Sequence, residues 1–145
     1  MKRPTYSCDI KLRAYQVREA DGPMIHSAAD LASAVPDAAN LDREAFFVIT
    51  LTQKNQIIDR HLISLGTLTA ALVHPREVFL PAILDRAAAV AFLHNHPSSD
   101  TTPSRDDREL TTRLKQVAEL LGFRLLDHVI VGRNSHCSFA EEGLL

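Results

Sequence analysis

The sequence is poor in several features that would mark a special-purpose chain. It has two cysteines, Cys8 and Cys137, far apart and outside any CxxC pairing. A disulfide framework is therefore excluded, and two isolated thiols fit a reduced, cytosolic protein. There is no excess of charge either: 16 Lys+Arg against 18 Asp+Glu leave a net −2 with His neutral. The basic footprint that usually accompanies nucleic-acid binding is missing from these totals. No stretch approaches the ~20 apolar residues of a membrane span. The start, MKRPTYSCDIKL, is basic but lacks the apolar core of a signal peptide. These absences predict a cytoplasmic protein with no membrane partner. Repeats, linkers and low-complexity segments are also lacking, so residues 1–145 are expected to form a single domain.

What is present is an ordinary core-forming composition, 46% hydrophobic and 23% charged. A domain of this size buries a core without a structural metal, so a metal site here would be functional rather than a folding staple. Alternation from Tyr6 to Ala14 predicts a half-buried strand near a sheet edge. Ser27 can cap a short helix, SAADLASAV, stopped by Pro36. AFFVITL and QIIDRHLI, joined by TQKN, read as a hairpin. Pro75 opens a helix that Pro81 should kink. AAAVAFL, residues 87 to 93, has the continuous apolar run of a central strand covered on both faces. A longer helix runs to about Leu121, stopped by Gly122, and FRLLDHVIVG and HCSFAE supply two more strands. The expected class is α/β: a mixed β-sheet flanked by helices.

The chemistry concentrates where AAAVAFL breaks into HNHPSSDTTPS. His94 and His96 are two apart at a strand end, and extended chain points side chains i and i+2 the same way. Asp107 follows in the first turn of the next helix, on a loop long enough to fold back. Two imidazoles and one carboxylate leave a tetrahedral ion with a fourth position for water, the arrangement of a catalytic zinc. Each residue alone has a plainer role. HxH pairs arise by chance, Asp107 could simply complement a helix N-terminus, and Ser104 or Thr102 could be that helix's cap. The combination, at the carboxyl end of a buried strand, is what points to a site.

HNHPSSDTTPSRDD resembles the H-x-H-x7-S-x2-D signature of the JAMM (MPN+) metalloprotease superfamily, with His94, His96, Ser104 and Asp107 on its four positions. DREAFFVITLTQKNQI, GTLTAALVHPREVF, HNHPSSDTTPSRDDRELTTRLK and LLDHVIVG are similar, in that order, to the RadC-like branch. The resemblance covers roughly residues 27 to 140. It implies an MPN/JAB fold akin to cytidine deaminase, with one Zn2+ per chain on His94, His96 and Asp107. It also implies a distant glutamate that polarises the zinc-bound water. Glu44, just before the first long strand, matches that place; Glu77 in PREVF is the rival, with a helix first-turn role sufficient to explain it. Glu44 would act as general base and then acid, and Ser104 would stabilise the oxyanion, in hydrolysis of a peptide or isopeptide-linked protein.

Two alternatives stand beside this. One is a metal-dependent nuclease or DNA-repair-associated protein, as the family name invites although the charge does not. The other is a non-catalytic MPN scaffold. The chain departs from the RadC-like pattern in carrying Ser99 where a glycine is usual, a position where glycine would permit positive φ. At 145 residues the chain is also expected to lack the helix-hairpin-helix region that the resemblance to full-length RadC-like proteins would imply. His61, His74 and His128 are read as structural histidines.

Overall fold

Period-two patterns decide which side of the sheet each strand residue faces. The computed structural model describes residues 19–69 and 72–145, so the expected strand from Tyr6 to Ala14, and Cys8 with it, lie outside the described residues. Five strands are present among the described residues: β1 Ala45–Leu51, β2 Ile57–Leu65, β3 Ala89–Asn95, β4 Arg124–Val131 and β5 His136–Ser138. They form one sheet in the order β2-β1-β3-β4-β5. Only the β3–β4 pair is parallel. The helices are α1 Ala28–Ala32, α2 Pro75–Leu84 and α3 Arg105–Leu121, with a 3-10 turn at Ala38–Asn40. The mixed sheet with flanking helices is the class the sequence predicts.

Odd and even residues divide two cores. On β1 and β3, Ile49, Leu51, Ala89, Ala91 and Leu93 pack with Leu31 and Ala38 on the α1 side. Phe46, Val48, Val90 and Phe92 pack with Phe79, Leu110 and Leu114 on the side of α2 and α3. Phe92 touches both Phe46 and Phe79, with ring centroids 5.5 and 6.3 Å apart. Truncating so buried a ring costs about 3–5 kcal/mol. Continuing the even series beyond Phe92 puts His94 on the α3 side. β3 is the middle strand, buried throughout, which accounts for its unbroken apolar run.

One helix end differs from the sequence reading. Ser27 caps α1 through a capping box with Asp30, but the helix stops at Ala32 rather than at Pro36. Ala34 N–H bonds Leu31 O in a tightened turn, and Val35, ahead of Pro36, is disfavoured in the helical region. α2 runs through Pro81 to Leu84 and closes with Asp85 N–H on Pro81 O at 2.8 Å. α3 ends as expected, on Gly122 in the left-handed conformation at φ 82°. Among the described residues no helix is long and apolar enough to cross a membrane.

Candidate metal centre

The site forms because one strand end and one helix start meet. His94 closes the buried run of β3, and His96 follows it past Asn95. The chain then turns at once: Ser99 N–H donates to His96 O at 2.8 Å, with Pro97 and Ser98 in the corner positions. Ser99 takes φ +65°, a left-handed conformation that glycine would adopt without strain. The turn is pressed against β4's end: a Cβ on Gly132 would lie 2.9 Å from Ser99 O and 3.0 Å from its Cα. Gly132 is therefore required by close approach rather than by its own dihedral.

Ser104 is the N-cap of α3, which settles the choice between it and Thr102. Its Oγ accepts from Asp107 N–H at 3.0 Å, and Asp107 Oδ2 accepts from Ser104 N–H at 2.8 Å. This reciprocal cap fixes the Asp107 carboxylate against the two histidines. Asp107 Oδ1 lies 3.2 Å from His94 Nε2, and its Oδ2 lies 3.2 Å from His96 Nε2. The two Nε2 atoms are 3.1 Å apart. The ligand-type atoms thus converge, as the sequence spacing predicts. Side-chain exposures of 0% for His94, 5% for Asp107 and 12% for His96 show that the group opens outward only at His96.

These spacings fit a small divalent cation. Four-coordinate bonds of about 2.0 Å set neighbouring ligand atoms about 3.3 Å apart. His96 is also oriented for it: Nδ1 lies 2.6 Å from the main-chain O of Asp100, a pure acceptor, so Nδ1 carries the proton and a neutral ring presents a bare Nε2. The charges agree. Without a metal, the Nε2–H of a protonated His96 would donate to the Asp107 carboxylate, which holds the His96 pKa above its usual value despite partial burial. Burial pushes the Asp107 carboxyl up, but the His94 and His96 imidazoles beside it outweigh that and hold it well below the carboxylate range. The His-His-Asp group could hold a metal ion.

Glu44 borders the same site. The antiparallel register pairs Phe46 with His94. Carried two residues further, it sets Glu44 across from His96, and the Glu44 charge adds to the upward push on His96. Its Oε2 accepts from Leu68 N–H at 3.1 Å. Glu44, Gly66, Thr67 and Pro97 line a surface depression beside this edge. Glu77, the rival, is exposed in the first turn of α2 beside Arg76 and does not line that depression. Asn95 is a residue that spacing alone did not single out. Fully buried, its Oδ1 accepts from Ala45 N–H at 2.7 Å and its Nδ2 donates to Arg43 O at 2.9 Å. It thereby clamps both neighbours of Glu44.

His128 is the other. It lies fully buried on β4, with Nε2 2.7 Å from His94 Nδ1 and Nδ1 2.6 Å from Thr111 Oγ1. Burial, with His94 adding to it, holds its pKa well below the ordinary value, so the ring is neutral. Asp127 indeed faces the other way, accepting from Ser138 Oγ and Ala140 N–H. The signal was available in period two: His128 pairs with Phe92 in the parallel register and shares the even face of β3. His61, by contrast, bonds Asp85 at 2.7 Å, away from this centre. His74 occupies the N-cap position of α2 without a side-chain cap bond.

A mixed sheet that presents two imidazoles and a capped carboxylate at the carboxyl end of its middle strand defines a JAB/MPN-type domain. The chain belongs to the RadC-like JAB domain family, which it matches over residues 25–144. It is 56% identical over 110 residues to a UPF0758 protein of Symbiobacterium thermophilum, covering 76% of this chain and 47% of that protein. A UPF0758 protein of Rubrobacter xylanophilus is 46% identical over 138 residues, covering 94% of this chain and 60% of the relative. The chain therefore spans about half the length of the curated relatives it matches.

Proposed function

We propose that the protein is a zinc-dependent hydrolase of JAMM type that cleaves a peptide or isopeptide bond. The observation that carries this reading is the convergence of His94 Nε2, His96 Nε2 and the Asp107 carboxylate within 3.1 to 3.2 Å of one another. Two nitrogens and a carboxylate suit zinc, and three protein ligands are what a catalytic site uses. A zinc ion held there supplies Lewis acidity and brings the pKa of a coordinated water toward ~7.

The chain's own residues supply the rest. Glu44, beside the exposed edge of His96, takes a proton from the attacking water and returns it to the leaving amine. Asn95 keeps the Glu44 segment in place. Ser104 is exposed at the helix start, and because its Oγ accepts from Asp107 N–H, its own proton is free to donate to a developing oxyanion. The net charge of −2 favours an amide over a polyanionic nucleic acid. Two isolated cysteines, with Cys137 a free thiol, favour a cytoplasmic setting.

The test is hydrolysis of peptide and isopeptide-linked substrates by the zinc-loaded protein and by Glu44→Gln. Loss of turnover with zinc retained is the expected result. Unchanged turnover in the variant removes Glu44 from the chemistry, and cleavage of labelled DNA instead of amides replaces the substrate class.

A further inference from the structure

The histidine behind the candidate ligand His94 is held in a hydrogen-bond chain whose direction can be worked out from one end. Asp107 O is a main-chain carbonyl and can only accept. Thr111 Oγ1 lies 2.6 Å from it, so the single hydroxyl proton is committed there. The same oxygen lies 2.6 Å from His128 Nδ1, and with its proton spent it can only accept, so Nδ1 of His128 carries the hydrogen. The His128 ring is walled by Phe46, Phe92 and Phe139, surroundings in which an unpaired charge would be prohibitively costly. A neutral ring protonated at Nδ1 has a bare Nε2. That atom lies 2.7 Å from His94 Nδ1, which must therefore be the donor. His94 is left with its proton on Nδ1 and a lone pair on Nε2.

We propose that Thr111 and His128 are positioning residues that hold the His94 proton on Nδ1, through bonds running from His94 to the main-chain carbonyl of Asp107, and so keep Nε2 open as a ligand atom. The proposal rests on the reading of His94, His96 and Asp107 as a metal centre. The chain begins at one ligand residue and ends on the backbone of another, so it also ties the β3 ligand to the helix that carries Asp107. Exposures of 0% for His94 and His128 and 1% for Thr111 leave no solvent to substitute for a missing partner. Partners of this kind fix a metal-binding imidazole's tautomer, and their loss typically weakens metal affinity about 10–100-fold.

Thr111→Val keeps the side-chain shape and removes the hydroxyl. His128 then has no acceptor for an Nδ1 proton and carries it on Nε2 instead. That proton faces His94 Nδ1, which must accept, so the His94 proton moves to Nε2 and blocks the ligand atom. Thr111→Ser restores the hydroxyl. The experiment measures zinc affinity by chelator competition for wild type, Thr111→Val and Thr111→Ser. It is paired with imidazole nitrogen NMR of the metal-free proteins, His94 being assigned by its absence in His94→Gln.

The expected result is a loss of about 10–100-fold in zinc affinity for Thr111→Val. Recovery in Thr111→Ser and a His94 tautomer that moves from Nδ1–H to Nε2–H only in the valine variant complete the pattern. Equal affinity in Thr111→Val, or a loss in Thr111→Ser as large as in the valine variant, overturns the proposal. Should wild type bind no zinc, the metal reading fails and the NMR alone decides. A His94 tautomer that moves in the valine variant then still supports the chain's role, and an unmoved one overturns it.

Discussion

The Asp107 carboxylate bonds Ser104 N–H at 2.8 Å while lying 3.2 Å from the Nε2 atoms of both His94 and His96. One side chain therefore closes the capping box of α3 and completes the candidate ligand set, and the two duties can be separated. Asp107→Asn keeps an acceptor for Ser104 N–H but loses the charge. It is expected to fold with a melting temperature near wild type and to bind zinc at least about 100-fold more weakly. Asp107→Ala also loses the bond from Ser104 N–H, the reciprocal half of the capping box, at an added cost of about 0.5–1.5 kcal/mol. Calorimetry and zinc titration on the pair check both parts; an asparagine variant that binds zinc like wild type would take Asp107 out of the ligand set.

The opposed pKa shifts of Asp107 and His96 make the stability of the metal-free chain depend on pH. Asp107 is depressed, so its contribution is present above its unfolded value of about 3.9 and is lost as pH falls through the lower folded one. His96 is raised, so its contribution is full below about 6.5 and is lost as pH rises through the higher folded value. Chelator-treated protein should gain most from the pair between about pH 4 and 6.5. The urea midpoint of wild type minus that of His96→Gln, followed from weakly acid to alkaline pH, measures it. A difference that fails to shrink on the alkaline side contradicts the pairing.

Asn95 carries a prediction for the segment that holds Glu44. Asn95→Ala leaves the buried Ala45 N–H without its 2.7 Å partner, which costs about 1–3 kcal/mol. Arg43 O also loses its donor, so the Glu44 segment is left with the 2.7 Å bond from Gly66 N–H to Glu44 O. Zinc affinity should change little and turnover should fall sharply. A variant that folds stably and retains full turnover would show that Glu44 needs no such clamp.

Gly132 and Ser99 meet backbone to side, and the approach leaves no room for a methyl group. Gly132→Ala would place its Cβ 2.9 Å from Ser99 O, so the HNHPSS turn must move. A loss of about 1–3 kcal/mol is expected, together with weaker zinc binding, because the turn follows directly on His96. Ser99→Gly relieves the left-handed strain at φ +65° but gives up the 3.3 Å bond from Arg133 N–H, so it should leave metal affinity unchanged. Thermal melts and zinc titrations compare the two. An alanine at position 132 that perturbs neither would show the turn to be loose.

Much of the fold was legible because its strands are strongly patterned. AFFVITL coincides with β1, and the run beginning at Ala87 leads into a middle strand whose apolar residues serve two cores. The C-terminal end of α1 was harder, since it depends on a local turn that composition does not encode. The ligand trio was legible from strand and helix spacing. His128 was not, because a histidine in a buried strand reads as a core residue until the parallel β3–β4 register brings it behind His94. Asn95 was overlooked for a related reason: its partners, Arg43 and Ala45, lie about 50 residues away and become neighbours only in the sheet.

The central claim is that His94, His96 and Asp107 hold a metal. It is tested most directly by the metal content of wild type and His96→Ala, purified without added metal or a histidine tag and measured by plasma mass spectrometry. The proposed function predicts about one zinc per chain in wild type, the stoichiometry of a single three-ligand site, and none in the variant. A wild type that holds no metal even after zinc reconstitution and dialysis would contradict the claim and leave the domain as a scaffold.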